Sequence, residues 1–255
     1  DAGHTRNNLW LSAFFLVLFV VSFSFMSWYW VMSFDAHWYS TMFSIKAFAG
    51  LFQSGLALMA IILVFLLRRG LLGGVAGTQQ LHDMGKLVFA FTVFYAYIHF
   101  SQFLLLWYAN IPETAIWYVR RLENGWGPLT LMIPIFKFIV PFLLLLPQDH
   151  KKNKNNVLVY VCGLLLFAQL YEVWYWVAPY PALDGMYGPL FMYEFLISLG
   201  FIGLFMVIVG RSLASHNLVP MKDPFLHESI PHEHVHFGSS QADLEVQAEH
   251  VVRDL

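Results

Sequence analysis

His99 and Gln102 stand in the middle of an apolar run, Leu87 to Tyr108, that is long enough at 1.5 Å per residue to cross a bilayer. An imidazole at that depth is costly unless it faces protein, and its ordinary titration range makes it a candidate proton carrier. Tyr95, His99 and Gln102 fall at i, i+4 and i+7, so one helix face carries all three. Lys46, Gln53, Lys137, Glu172 and Glu194 are further hydrophilic side chains inside apolar runs. The two lysines and two glutamates balance in charge. Pairing Lys137 with Glu172 or Glu194 would lower the cost of burial and leave His99 free to titrate, and spacing does not choose between the pairs. Hydrogen-bonded carboxylates and an imidazole at close range are what stepwise proton transfer needs. The expected carriers are therefore His99, Lys137, Glu172 and Glu194, with Asp35 and His37 at the mouth of the path.

Each residue also has a purely structural use. Lys46, Glu172 and Glu194 come out roughly 5 to 6 residues from one end of their helices, near enough for the charged head to snorkel to the interface. Gln53, Gln102 and Gln169 suit interhelical hydrogen bonding, and His99 alone suits satisfied packing. Lys137 lies near the midplane and is harder to explain away. Pro134 and Pro141 flank it within one apolar run, which predicts a kinked segment with freed backbone carbonyls beside the lysine. Lys46, Gly50, Gln53 and Ala57 make a second one-sided stripe, whose small residues would permit close helix packing.

The elements that must position these groups are membrane helices. The chain has 255 residues, 58% of them hydrophobic and only 12% charged, and its mean hydropathy is +0.60. That is too apolar for an ordinary soluble domain. Six apolar runs of spanning length can be marked: Leu9 to Phe34, Thr41 to Leu67, Leu87 to Tyr108, Leu129 to Leu146, Val157 to Val177 and Leu190 to Gly210. The expected fold is an all-α membrane protein, a bundle of six transmembrane helices over residues 1–211 followed by a polar tail over 212–255. Trp28, Trp30, Trp38, Trp107, Trp117, Trp174 and Trp176 crowd the ends of the runs and read as interfacial belts. Trp117, Tyr118 and Arg121 mark a short surface helix in one loop.

Lysines and arginines collect in the loops on one side, at Arg6, Arg68, Arg69, Lys86, Lys151, Lys152, Lys154, Arg211 and Lys222, against Arg120 and Arg121 on the other. Positive residues stay inside, so both termini are expected in the cytoplasm. On that topology the hydrophilic set lies in the outer half or at the midplane, on the order of 8 to 18 Å deep, which describes a polar half-channel opening outward. The polar lead Asp1 to Asn8 lacks an initiator Met, and the run behind it is too long for a signal-peptide core and has no small-residue cleavage site. It reads as a processed chain or part of a longer one.

A net charge of -2 without a basic patch argues against a nucleic-acid partner. The single cysteine excludes an internal disulfide, a CxxCH haem attachment and a cysteine-ligated iron–sulfur cluster, and no second embedded histidine completes a bis-histidine haem site. The chain is expected to bind no redox cofactor of its own. His232, His234 and His236 in the tail alternate, but no carboxylate or cysteine pattern completes a metal site.

Two stretches, DMGKLVFAFTVFYAYIHFSQFLLLWYANIPETAIWY from Asp83 to Tyr118 and MSFDAHWYSTMFSIKAFAG from Met32 to Gly50, closely resemble the polysulfide-reductase-like (NrfD/PsrC-type) membrane subunits of bacterial alternative complex III. The similarity is to the second of the two large membrane subunits (ActF-type, quinone-binding subunit 2). The matched positions are Asp35, His37, His99 and Gln102, and the resemblance covers the chain to about Phe225. That family has about ten spanning helices, and this chain resembles the six at the C-terminal end. The resemblance implies an integral subunit of a quinol-oxidising respiratory complex in the bacterial inner membrane, serving as scaffold and proton route. It implies menaquinol as the quinol, haem c and iron–sulfur clusters in partner subunits, and other membrane and periplasmic subunits, lipids and a terminal oxidase as partners. A quinol pocket inside this chain, with His99, Asp35 and Gln102 as contacts, is one alternative. A secondary transporter is another, although no inverted repeat is visible.

Overall fold

A computed structural model of the chain describes residues 2–35, 37–72, 75–122, 125–147, 156–179 and 187–219. Every regular element among them is helical. Helix α1 (Ala2–Met26) runs into a π turn (Ser27–Val31) and a 3₁₀ turn (Met32–Phe34), followed by α2 (Met42–Arg68), α3 (Thr78–Ala109) and the short α4 (Pro112–Leu122). Then come α5 (Gly127–Pro134), a π turn (Ile135–Ile139), α6 (Val140–Leu145), α7 (Val157–Val177) and α8 (Tyr187–Ser215). Six stretches are long and apolar enough to cross a membrane: Arg6–Phe34, Met42–Arg68, Thr78–Ala109, Gly127–Leu145, Val157–Val177 and Tyr193–Ser215. They coincide with the six runs read from sequence, so the chain is a multi-pass membrane protein. Lys151, Lys152, Lys154 and Lys222, the Tyr180 to Met186 part of the loop before α8, and the tail histidines lie outside the described residues.

The helices fall into two compact units. One comprises residues 11–65 and 78–179, and the other residues 1–10, 66–77 and 180–255. In the smaller unit, Gly70 closes the end of α2 with φ +68. The Leu71 N–H reaches the Leu66 carbonyl at 3.1 Å and the Gly70 N–H reaches the Leu67 carbonyl at 3.2 Å. That paired bonding uses the left-handed conformation glycine adopts at least cost.

The larger unit is built from seams. Along α3 the buried residues are Leu81, His82, Gly85, Val88, Thr92, Tyr95, Ile98 and Gln102, recurring at threes and fours so that one stripe faces protein. Along α7 they include Leu158, Val161, Leu165, Ala168, Glu172, Tyr175 and Trp176. The α2 stripe of Lys46, Gly50, Gln53 and Ala57 is buried throughout. Asn110, at φ 46, turns the chain out of α3, and Pro112 opens α4 two residues later. α4 is amphipathic and buries Thr114, Trp117 and Arg121, in keeping with the short helix expected there.

Between Pro134 and Pro141 the helix widens into the π turn, where the Val140 N–H bonds the Ile135 carbonyl. A proline ring crowds the carbonyl four residues back and offers it no N–H, and a wide turn relieves that crowding. For Pro141 that carbonyl belongs to Lys137. It is bonded instead by the side chain of Gln53, Nε2 to O 3.1 Å, arriving from α2. The kink expected from the two prolines is thus a π turn whose freed carbonyl is satisfied by a neighbouring helix, as backbone at membrane depth requires.

Gly50 makes the closest approach in the unit. A Cβ there would stand 2.8 Å from Gln169 Oε1 and 2.9 Å from Lys137 Nζ. Replacing Gly50 by Val is expected to force that pair apart and to destabilise the purified protein by about 1–3 kcal/mol. Thermal unfolding in detergent, alongside a Gly55→Val control whose added Cβ meets nothing within 4 Å, checks this: equal melting shifts for the two variants would refute it.

Candidate functional site

Glu172, on α7, is 1% exposed and lies at the centre of a buried polar cluster. Its Oε2 accepts from Lys137 Nζ at 2.6 Å. Its Oε1 accepts from the Tyr95 hydroxyl at 2.7 Å and lies 3.4 Å from Lys46 Nζ. Lys137 makes a second short bond, 2.6 Å to Gln169 Oε1. The ammonium also sits 3.9 Å from the centre of the Tyr95 ring, within cation–π range. Of the two partners left open for Lys137, the structure selects Glu172. Four elements contribute: α2 through Lys46, α3 through Tyr95, the π turn through Lys137, and α7 through Gln169 and Glu172.

His99 joins through Tyr95, whose hydroxyl is 3.3 Å from His99 Nδ1. A phenol has a single proton, and here it is donated to Glu172. His99 must therefore carry its own proton on Nδ1 to bond the phenol oxygen. The result is a continuous line of exchangeable protons, His99 to Tyr95 to Glu172.

Around Lys46 the cluster is covered by aromatic rings. Its Nζ is 5.7 Å from the centre of Trp117 and 5.8 Å from that of Trp176. Trp117 stacks on Trp38 at 4.9 Å, and Phe43 packs edge-on against Trp38 at 5.6 Å and at 5.1 Å from Trp176. These rings belong to one buried group with Ala47, Ile133 and Tyr175. Read from sequence as interfacial belts, Trp38, Trp117 and Trp176 instead turn into the protein. Arg121 is wholly buried beside them. It stacks 3.7 Å over Trp117 and donates to the carbonyls of Trp117 at 3.2 Å and Trp176 at 2.8 Å. The Trp176 carbonyl is in the last turn of α7, where helical donors run out. Burial pushes the Tyr118 phenol of α4 above its usual titration range.

Beyond the rings lies a charged cleft of about 510 Å³, lined by Asp35, His37, Tyr39, Glu113, Ile116 and Arg120. Asp35 is buried and pairs with Arg120 at 3.0 Å, while His37 is exposed. Asp35 and Arg120 are each three residues from one member of the stacked Trp38–Trp117 pair. A half-channel open to water was expected. Of that polar set, Lys46, Lys137 and Glu172 gather with little exposed surface, beside a group of packed aromatic rings.

Glu194 lies on α8, in the other unit, half-buried, with its main-chain carbonyl bonded by Ser198 at 2.8 Å. Gln102 is 1% exposed, and its amide nitrogen and oxygen both lack hydrogen-bond partners among the described residues. Among the described residues no group of three or more His, Cys, Asp or Glu side chains is arranged to hold a metal. Sequence reasoning counted Lys46 in the hydrophilic set but not among the proton carriers, and used Arg120 for topology and Arg121 for topology and a short surface helix. The i, i+4 spacing of Trp117 and Arg121 was the available signal for the stacked arginine.

No protein-family model matches the chain, and no curated protein matches it.

The two buried glutamines should respond oppositely to the same change. Gln53 donates to Thr92 Oγ1 and to the Lys137 carbonyl, both at 3.1 Å. Gln53→Leu is expected to cost about 1–3 kcal/mol by stranding that carbonyl. Gln102→Leu removes an amide without partners, and is expected to leave stability unchanged or raised. Melting temperatures of the two variants check the pair, and a larger loss at Gln102 would contradict the bonding described.

Proposed function

We propose that this chain is an integral membrane subunit of a quinol-oxidising respiratory complex of the alternative complex III type, in the bacterial inner membrane with both termini cytoplasmic, and that it moves protons through the Glu172 cluster while holding partner subunits in place. The observation that carries the proton-transfer part is the unbroken set His99, Tyr95, Glu172, Lys137, with Lys46 on the same carboxylate. A carboxylate that is taken out of solvent and then surrounded by titratable donors is poised for proton exchange, because a change of charge on one member alters its neighbours strongly in a low-dielectric interior. Transfer is concerted: as His99 Nε2 takes up a proton, Nδ1 gives its own to Tyr95 and Tyr95 gives its proton to Glu172, so His99 ends as the neutral Nε2 tautomer and the phenol never carries a net charge. The respiratory setting rests on the resemblance of the Asp83 to Tyr118 and Met32 to Gly50 stretches, and menaquinol, haem c and iron–sulfur clusters belong to that setting. Asp35 and His37 line the charged cleft and serve as the proton exit on the outer side.

A second reading has its own observation. The orphaned amide of Gln102, three residues from His99, would bond a quinol headgroup, with His99 as proton acceptor. Bound quinone beside His99 in a structure of the purified complex would favour that pocket over a conduit.

The deciding measurement uses the complex purified from its native membrane and placed in liposomes containing a pH-sensitive dye. Glu172→Gln and His99→Ala are each expected to lower proton movement at least about tenfold, the scale on which removal of a positioned proton carrier is felt. Unchanged turnover and unchanged proton movement in both variants would leave only the scaffold role.

A further inference from the structure

We propose that Lys46 is the group through which protons leave the Glu172 cluster, alternating between ammonium and amine while Lys137 keeps its charge. The inference rests on the proton-transfer reading above and names the carrier within it. Two lysines share one carboxylate, and Lys46, Lys137 and Glu172 are each 2% exposed or less. With all three ionised, the cluster holds an excess positive charge away from water, an arrangement that is stable only when the extra cation is well solvated by protein.

The two lysines differ sharply in that solvation. Lys137 has two oxygen acceptors at 2.6 Å and an aromatic face at 3.9 Å. Among the described residues Lys46 has one acceptor, 3.4 Å away, and that oxygen already takes the Tyr95 proton at 2.7 Å. Its two indole neighbours are at 5.7 and 5.8 Å. One of them, Trp117, also carries the Arg121 guanidinium at 3.7 Å on its face. The charges that bear on Lys46 are thus Glu172 from α7, Lys137 from the π turn and Arg121 from α4, one attractive and two repulsive. From α3, His99 and Tyr95 add a neutral imidazole and a phenol already committed to Glu172. Losing a proton costs Lys46 one long contact and would cost Lys137 two short ones.

Position agrees with this role. Lys46 lies near the start of α2 (Met42–Arg68) with its ammonium facing Trp117 and Trp176, and Trp117 and its stacking partner Trp38 are each three residues from a residue of the cleft, Arg120 and Asp35. The cycle balances. A proton delivered through His99 and Tyr95 neutralises Glu172, and two ammonium groups are then left without their carboxylate. Lys46 releases a proton toward the cleft, and its amine then takes the proton from the Glu172 acid, restoring carboxylate and ammonium.

Arginine tests this, because a guanidinium keeps the charge but does not give up a proton at any physiological pH. In the complex in liposomes, Lys46→Arg is expected to assemble normally and to lose proton movement at least about tenfold. Wild-type proton movement in Lys46→Arg would show a fixed structural charge and overturn the proposal. Should Lys46→Arg fail to accumulate in the membrane, Lys46→His decides. A titratable imidazole at that position is expected to support proton movement with its pH profile displaced to lower pH, and an undisplaced profile would overturn the assignment. Glu172→Gln, measured in parallel, separates the two levels. Loss in Glu172→Gln with full function in Lys46→Arg refutes only the role of Lys46, whereas full function in Glu172→Gln refutes the proton-transfer reading on which it depends.

Discussion

A carboxylate at membrane depth has to be held by cations and donors or it will not stay ionised, and that requirement at Glu172 organises the larger unit. Its two oxygens are occupied by Lys137, Tyr95 and Lys46, drawn from three different segments. Each of those contacts imposes something further away. With Lys137 held between Glu172 and Gln169, a Cβ at position 50 of α2 would meet the ends of the Lys137 and Gln169 side chains at under 3 Å, so glycine there leaves their bond undisturbed. For the Tyr95 ring to lie under the Lys137 ammonium, α3 must present its Val88, Thr92, Tyr95 seam to the same space. Removing one partner of such a buried pair typically costs about 3–5 kcal/mol, because the other charge is left stranded. The cluster is therefore structural in the same measure as it is chemical.

The interruption between α5 and α6 belongs to the same economy. Proline at position 141 deprives the Lys137 carbonyl of its helical donor, and the π turn together with Gln53 supplies what is missing. Gln53 also bonds Thr92, whose own hydroxyl is tied to the Val88 carbonyl at 2.8 Å. The side chain and the main chain of Lys137 are thus fixed by two separate networks, one reaching α7 and the other reaching α2 and α3. A lysine anchored at both ends keeps its ammonium aimed at Glu172 despite the flexibility of its methylene stem. Lys46 has no comparable second anchor.

Much of this was legible in the residues. Span lengths set the six helices, and the i, i+4, i+7 placement of Tyr95, His99 and Gln102 put them on one face. Flanking prolines predicted the broken helix around Lys137. What sequence did not yield was azimuth. Distance from a helix end says how deep Lys46 lies but not which way it points, so snorkelling and burial were equally open until α2 was seen against α7. The same ambiguity made Trp38, Trp117 and Trp176 look like lipid-facing anchors, since an indole near a helix end suits either environment. Nor can spacing within one helix distinguish Glu172 from Glu194 as a partner for Lys137, because that choice depends on how separate helices pack. The tail histidines His232, His234 and His236 lie outside the described residues.

The burial of the cluster bears on its electrostatics more than any single contact. In an open, water-filled half-channel, charges are screened, and a proton arriving at one residue hardly disturbs the next. Behind the indoles of Trp38, Trp117 and Trp176, the same event changes the field at every neighbour by an amount that solvent does not erase. Strong mutual influence ties the charge of each member to that of its neighbours. The stacked Trp38–Trp117 pair helps to create the low-dielectric setting that makes the lysines and Glu172 interdependent.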